Sequence, residues 1–395
     1  MIDNDFYIEI NHTQHNHDKE RICGDIFLND KVIEENRRIA VLSDGMGHGV
    51  KANVLATLTA KMALNFTKEH RNPAKIAETI IKTLPVCSER QISYSTFAII
   101  DIEPDGKVNI LEYENPQCII TRGGKVFEPE WECIVLDLQG NDRKELMYGS
   151  FYAKKEDRII VFSDGVEQSG MGTDKYPFGW PRDSIMEYVL NLVNKTPNIS
   201  AAQLSSKIVA RANMHDNYKP KDDTTCGVVY FREPRKLLLC TGPPYEMDKD
   251  EEYANTVKNY NGKKVLCGGT TADIISKQLK LKISDDLIFE DFDLPPISHM
   301  EGVDLVTEGI LTLSKVYTIL KNYDNKTYLG KGPADLIVKM FLESDIIDFI
   351  IGTRINIAHQ DPNLPIDLEI RRTVVKKIAQ TLEAKFFKEV VVKYI

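Results

Sequence analysis

The sequence predicts an α+β fold, a β-sandwich flanked by helices, followed by a second, C-terminal α/β domain. Three observations carry this expectation. Before residue 232, short β-type runs outnumber long amphipathic helices. Two of those runs end in the same triplet, Ser-Asp-Gly. Beyond Glu233-Pro234-Arg235, strand and helix patterns begin to alternate, the rhythm of an α/β sheet.

Phe6 to Ile10 alternates like a strand, and Arg38 to Leu42 is a short apolar strand ending at Ser43-Asp44-Gly45. From Val50 to Thr67 apolar residues recur at Val54, Leu55, Leu58, Met62 and Phe66, the spacing of a helix with one buried stripe. A second helix is expected from Pro73 to Leu84. Strands are expected at Ser95 to Asp101, Val108 to Glu114, Cys118 to Arg122 and Val126 to Pro129. Turn signals such as Pro104-Asp105-Gly106 and Arg122-Gly123-Gly124 separate them. Asp157 to Phe162 is a further strand, running into Ser163-Asp164-Gly165. Helices at Pro181 to Leu192 and Ala201 to Met214 precede a closing strand, Thr225 to Arg232.

In the second half, Lys236 to Cys240, Lys263 to Cys267 and Asp304 to Thr307 read as strands. Helical patterns cover Asp248 to Tyr260, Ala272 to Leu281, Gly309 to Asn322, Ala334 to Ser344 and Glu369 to Phe386. The domains are therefore expected at 1–234 and 235–395, without a low-complexity linker. A chain of 395 residues suits two domains.

Composition narrows the function classes. The chain is 42% hydrophobic and 28% charged, as globular proteins are. Its net charge of -9 speaks against a broad nucleic-acid surface, which needs clustered cations. Seven scattered cysteines with no CxxC pair suit reduced, mostly buried thiols and disfavour zinc or redox motifs. The acidic start Met1-Ile2-Asp3-Asn4-Asp5 does not resemble a signal peptide. No apolar run reaches the ~18 residues of a membrane span. A cytoplasmic location is expected.

Four acidic sites could carry chemistry. Asp25 lies in Gly24-Asp25-Ile26-Phe27, Asp44 and Asp164 each follow a strand, and Asp222-Asp223 precedes one. A lone Asp-Gly after a strand is ordinarily a turn. Several in this order supply carboxylates, and the Gly45 carbonyl, to hard divalent cations that keep most of their waters.

The order Gly-Asp, then Ser-Asp-Gly-Met-Gly-His-Gly opening a helix, then Phe-Ser-Asp-Gly-Val, then Asp-Asp-Thr-Thr resembles the 2C-type metal-dependent protein phosphatases. More narrowly, it resembles the branch named for stage II sporulation protein E. The resemblance covers residues ~1–232 and stops there. It implies a serine/threonine phosphoprotein phosphatase with two Mn2+ or Mg2+ ions. Asp44 would bridge both ions, Asp25 and the Gly45 carbonyl would complete one shell, and Asp164 and Asp222 would hold the other. Asp223 would orient its neighbour or a water. A water shared by the two ions would attack phosphorus directly. The implied substrate is a phosphorylated signalling protein, by analogy an anti-sigma-factor antagonist.

Other readings stand beside this one. His48 is either a general acid for the leaving oxygen or a residue that packs or caps at the helix start. His12, His15 and His17 are either a metal-binding tract or a solvated strand edge or loop; on a strand His12 would face away from the other two. Lys19 and Arg21 are either phosphate contacts or surface charge. Cys267-Gly268-Gly269-Thr270-Thr271 follows a strand and opens a helix, so it could take an anion or nucleotide, or be a capped glycine turn. The alternative functions are a ligand-sensing adaptor on the same fold and a phosphatase of small phosphorylated metabolites.

Overall fold

The computed structural model describes residues 6–84, 95–138, 142–286, 290–291, 293–324, 327–354 and 364–395. Contacts divide the chain into two units, Met1–Glu233 and Pro234–Ile395. Among the described residues no helix is long and apolar enough to cross a membrane.

The first unit runs β1 (Tyr7–His15), β2 (Asp25–Val32), β3 (Arg37–Gly45), α1 (Gly49–Lys68), α2 (Pro73–Thr83), β4 (Ser95–Ile102), β5 (Lys107–Tyr113), β6 (Ile119–Arg122) and β7 (Lys125–Val126). It continues with β8 (Glu130–Leu138), β9 (Asp142–Tyr152), β10 (Arg158–Phe162), α3 (Asp164–Glu167), α4 (Arg182–Lys195), α5 (Ala201–His215) and β11 (Thr224–Arg232). One sheet has the order β1-β11-β10-β6-β7 and the other β2-β3-β4-β5-β9-β8. Every pairing in both is antiparallel.

Strand alternation makes the layers. Ala40 and Leu42 of β3 point between the sheets, where they meet Ile159 and Val161 of β10 and Val229 and Phe231 of β11. Their neighbours Ile39 and Val41 point outward against Ala60 and Ala63 of α1 and Ile76 and Ile80 of α2. On the other sheet, Ile160, Phe162 and Val228 pack under Ile185 and Val189 of α4 and Leu204 and Ile208 of α5. The result is helix, sheet, sheet, helix: the expected α+β sandwich.

Two elements differ from the expectation. The buried face of α1 is made of Ala52, Ala56, Thr59, Ala60, Ala63 and Thr67. Val54 and Leu58, assigned to the buried stripe, are 59% and 45% exposed, and Val50 is 64% exposed. Small residues win because the helix lies close to its sheet. A Cβ on Gly45 would sit 2.2 Å from the Ala52 carbonyl oxygen. The long hairpin β8–β9 was also not anticipated. Its residues Glu132, Cys133 and Val135 are exposed, so its apolar signal is diluted. The strand expected at Val126 to Pro129 is only the two-residue β7.

The second unit runs β12 (Lys236–Thr241), a 3-10 turn (Met247–Lys249), α6 (Asp250–Asn259), β13 (Lys263–Cys267), α7 (Gly269–Leu279), β14 (Ile283–Asp285), β15 (Ser298–Met300) and β16 (Val303–Thr307). It ends with α8 (Ile310–Asn322), α9 (Pro333–Glu343), β17 (Ile346–Ile351), α10 (Leu364–Phe386) and β18 (Glu389–Tyr394). Its sheet has the order β14-β15-β16-β13-β12-β17-β18. The five strands from β16 to β18 are parallel. β17 and β18 were absent from the sequence reading.

Candidate functional site

The carboxylates gather where strands of both sheets end. β2 pairs with β3 so that Asp25 stands directly opposite Asp44. Cross-strand partners project to one face of a sheet, so the two carboxylates are neighbours. β3 lies between β2 and β4, and its end is pinned: the Ser95 hydroxyl donates to the Asp44 carbonyl at 2.8 Å.

β10 and β11 bring the remaining members from the opposing sheet. The Ser163 hydroxyl donates to Asp25 Oδ2 at 2.7 Å and accepts from the Thr225 N–H at 2.9 Å. One buried serine thereby ties β10 and β11 to the start of β2. The next residue, Asp164, opens α3, and Gln168 Nε2 donates to its Oδ2 at 2.6 Å. Asp164 also shares a hydrogen bond with Asp44. Gly165 lets the Asp222-Asp223 turn come close, since a Cβ there would meet the Asp223 carbonyl oxygen at 2.1 Å. The second glycine of the repeated Ser-Asp-Gly triplet thus has the same reason as Gly45: backbone passes where a side chain would stand. Asp223 Oδ1 accepts from the His17 N–H at 3.0 Å, and Asp222 Oδ1 accepts from the Asp223 N–H at 2.9 Å.

Electrostatically the cluster is unbalanced. Burial pushes the Asp25 carboxyl up to about 7; Ser163 pulls it partly back, and the charges of Asp223 and Asp164 add to the rise. Asp44 is held well above the usual carboxylate range by burial, then by Asp25, Asp164 and Asp222. Burial and Asp164 lift Asp222 to about 6. Asp164 is raised by burial, against the pull of its bonds to Asp44 and the Gly165 N–H. The buried oxygens Asp25 Oδ1 and Asp223 Oδ2 have no hydrogen-bond partner among the described residues. Orphaned oxygens among like charges in a buried place suit a cation.

The donor set also says which kind of cation. Among the described residues, no three His, Cys, Asp or Glu side chains converge closely enough to hold a metal ion by themselves, so backbone oxygens and waters would have to complete any shell. Carboxylates in pairs plus a backbone carbonyl fit Mg2+ or Mn2+, which keep several waters and take few protein ligands.

The structure brings Asp25, Asp44, Asp164, Asp222 and Asp223 together, with Gly45 beside Asp44. His48 lies at the start of α1, makes no side-chain cap, and is 52% exposed. Its Nδ1 is 2.8 Å from Glu20 Oε1, and its ring stacks on His17 at 4.3 Å. The three early histidines separate. His12 stacks on Phe27, His15 is exposed on edge strand β1, and only His17 reaches the site. Lys19 and Arg21 are exposed. Gly268 to Thr271 belong to the second unit.

Sequence reasoning missed Ser163, Gln168 and Glu20, and grouped His17 with His12 and His15 instead of with the acids. For Ser163 a signal existed, because serine precedes aspartate in both triplets. Glu20 gave none. Cys23 is the one described cysteine beside the carboxylates: burial, then Asp25 and Asp223, push its thiol up, which keeps it neutral. Cys118, Cys226, Cys240 and Cys267 are buried free thiols, and Cys87 lies outside the described residues.

The sequence model of stage II sporulation protein E (SpoIIE) matches residues 34–232, just over half of the chain. A comparison with curated proteins gives no match. Among solved structures, the phosphatase domain of SpoIIE from Bacillus subtilis is 16% identical. That likeness covers 58% of this chain and 94% of that one, with a TM-score of 0.42. RsbX in complex with magnesium is 18% identical over 58% of this chain and 97% of that one, at 0.39. The serine/threonine phosphatase PstP from Mycobacterium tuberculosis is 11% identical over 57% and 99%, also at 0.39.

Proposed function

Because the chain belongs to the stage II sporulation protein E family, we propose that its first unit is a metal-dependent serine/threonine protein phosphatase. The single observation that carries this is the buried carboxylate cluster with the orphaned oxygens Asp25 Oδ1 and Asp223 Oδ2.

In this reading Asp25, Asp44 and the Gly45 carbonyl would hold one cation, and Asp44, Asp164 and Asp222 would hold the other. When bound, Mn2+ or Mg2+ supplies a water acidic enough to be the nucleophile at neutral pH and offsets charge on the phosphoryl oxygens. The protein's own part is positioning. Ser163 holds Asp25, Gln168 holds Asp164, and the His17 N–H holds Asp223. Hydrogen-bonded ligands keep one orientation, which preserves metal affinity. The Glu20 carboxylate beside Nδ1 and the His17 ring beneath fix the His48 imidazole at the rim. From there its other nitrogen can hand a proton to the leaving serine or threonine oxygen. No cysteine nucleophile is required.

The substrate is a phosphoserine or phosphothreonine on a signalling protein. RsbX and the SpoIIE phosphatase domain are fold relatives, and an anti-sigma-factor antagonist is the partner by analogy. The test is hydrolysis of a phosphoserine peptide and of small phosphorylated metabolites with Mn2+, against Asp44→Asn. Peptide turnover that needs Mn2+ and Asp44 supports the proposal. Turnover confined to metabolites, or no turnover of either, overturns it.

A further inference from the structure

The second unit is built on a largely parallel sheet whose strand order reverses. From β12 the chain winds through α6, β13 and α7 to β16 on one side. It then returns past β12 and continues through β17 and α10 to β18 on the other. The order of the parallel strands is therefore β16-β13-β12-β17-β18, with its reversal between β12 and β17. In open parallel sheets the loops part at such a reversal. Ligands settle in the crevice outside the carboxyl ends of the strands.

The residues at those ends are Thr241-Gly242 at the close of β12, Cys267-Gly268-Gly269 at that of β13, Thr307-Glu308-Gly309 at that of β16, and Gly352-Thr353-Arg354 just beyond β17. Gly242 is the hub. Its N–H donates to Thr271 Oγ1 at 2.8 Å, fastening the β12 loop to the first turn of α7. It takes φ +85, and a Cβ there would lie 2.6 Å from Arg371 Nη1. The first turn of α7, the Gly242 loop and the Arg371 guanidinium of α10 are thus contiguous.

The helix starts around this crevice differ. α8 is closed by its own acid, since Glu308 Oε2 accepts from the Thr312 N–H at 3.1 Å. α7 begins at Gly268 with no side chain capping it, and Gly268 and Gly269 leave the approach open. Two further groups point to a missing partner. The hydroxyl of Thr241, a residue 1% exposed at the end of β12, has no hydrogen-bond partner among the described residues. Arg354 Nη1 is buried without a partner there too, and its Nη2 meets Asp250 at 3.5 Å.

We propose that the carboxyl edge of this sheet binds a small phosphorylated ligand, with its phosphate between the first turn of α7 and Arg371. N–H groups at a helix start and a planar guanidinium both match a tetrahedral oxyanion. Thr241 supplies a hydroxyl to the same crevice, and Arg354 a second cation at its β17 side. All of these residues lie in Pro234–Ile395, so the inference stands independently of the phosphatase reading.

The test uses the full chain carrying Asp44→Asn in excess chelator, so that metal-dependent phosphate binding in the first unit is silent. Inorganic phosphate, ADP and citrate are titrated by calorimetry. The expected result is saturable binding of phosphate or ADP at one site per chain. Arg371→Gln is expected to weaken it about tenfold or more, as loss of a charged hydrogen bond does. Arg354→Gln and Thr241→Val weaken it less, while Arg71→Gln in the first unit leaves it unchanged. Circular dichroism checks each fold; if Arg371→Gln does not fold, Arg354→Gln and Thr241→Val decide. Phosphate and ADP both failing to saturate at millimolar concentration, citrate binding in preference to both, or affinities equal across the folded variants overturns the proposal.

Discussion

Asp25 and Asp44 stand opposite each other at one end of the β2–β3 ladder, on adjacent strands. Like charges directly opposed across strands destabilise a sheet. The fold therefore holds two carboxylates in a place that only a proton or a cation can relieve.

Neutralising one of them has opposite effects with and without metal. In excess chelator, Asp44→Asn removes a buried like charge, so its thermal midpoint should rise above that of the wild type. With Mn2+ at 100 times its Kd, the wild type should gain about 2.7 kcal/mol, and the variant should gain far less. Melting curves with and without Mn2+ check both halves. Equal gains in the two proteins would remove Asp44 from the metal site.

Ser163 fastens Asp25 to β11. Ser163→Ala leaves the Thr225 N–H without its acceptor and Asp25 Oδ2 without its donor. The expected loss is about 1–3 kcal/mol in urea unfolding, because buried polar groups are left unsatisfied. The Mn2+ concentration for half-maximal activity should rise about 10–100-fold, as with other groups that support metal ligands. A fall in stability with unchanged metal response would make Ser163 a packing residue only.

Glu112 sets a pH dependence away from the site. Its Oε1 accepts from the Cys118 N–H at 2.8 Å, and burial pushes its carboxyl up to about 7. The folded value lies above the unfolded one, so the contribution is full below about 4.5 and is lost as pH rises to about 7. Glu112→Gln keeps an acceptor and cannot ionise. Relative to this variant, the wild type should lose stability between pH 4.5 and 7 and then run parallel to it. Denaturation midpoints at pH 5 and 8 are the check; a constant difference would refute the assignment.

The helix α1 separates volume from hydrophobicity. Ala60→Leu inserts bulk between α1 and its sheet and should cost about 1–3 kcal/mol. Leu58→Ala, on the exposed face, should stay within about 0.5 kcal/mol of the wild type. Chemical denaturation of the two variants distinguishes this packing from the reverse.

That helix also shows where sequence reading stops. Periodicity located α1, but chose Val54 and Leu58 as its buried side, because hydrophobic spacing says nothing of how near the sheet lies. Gly45 beside Ala52 is what demands small residues there. The acids of the site were legible because each follows or precedes a strand and adjoins glycine or a second acid. What brings Asp25 to Asp44, and Asp164 to Asp222, is strand pairing between distant segments, which no local pattern encodes. The β8–β9 hairpin and the late strands β17 and β18 escaped for related reasons. The hairpin exposes much of its length, and β18 carries Lys393 and Tyr394 partly in solvent.

In the proposed function this cluster holds the cations a phosphatase needs. Anomalous diffraction from crystals soaked in Mn2+ tests it most directly. The prediction is two Mn2+ peaks, one between Asp25 and Asp44 and the other between Asp44, Asp164 and Asp222. Crystals that show no Mn2+ among these residues, while the same protein hydrolyses a phosphoserine peptide, would contradict it.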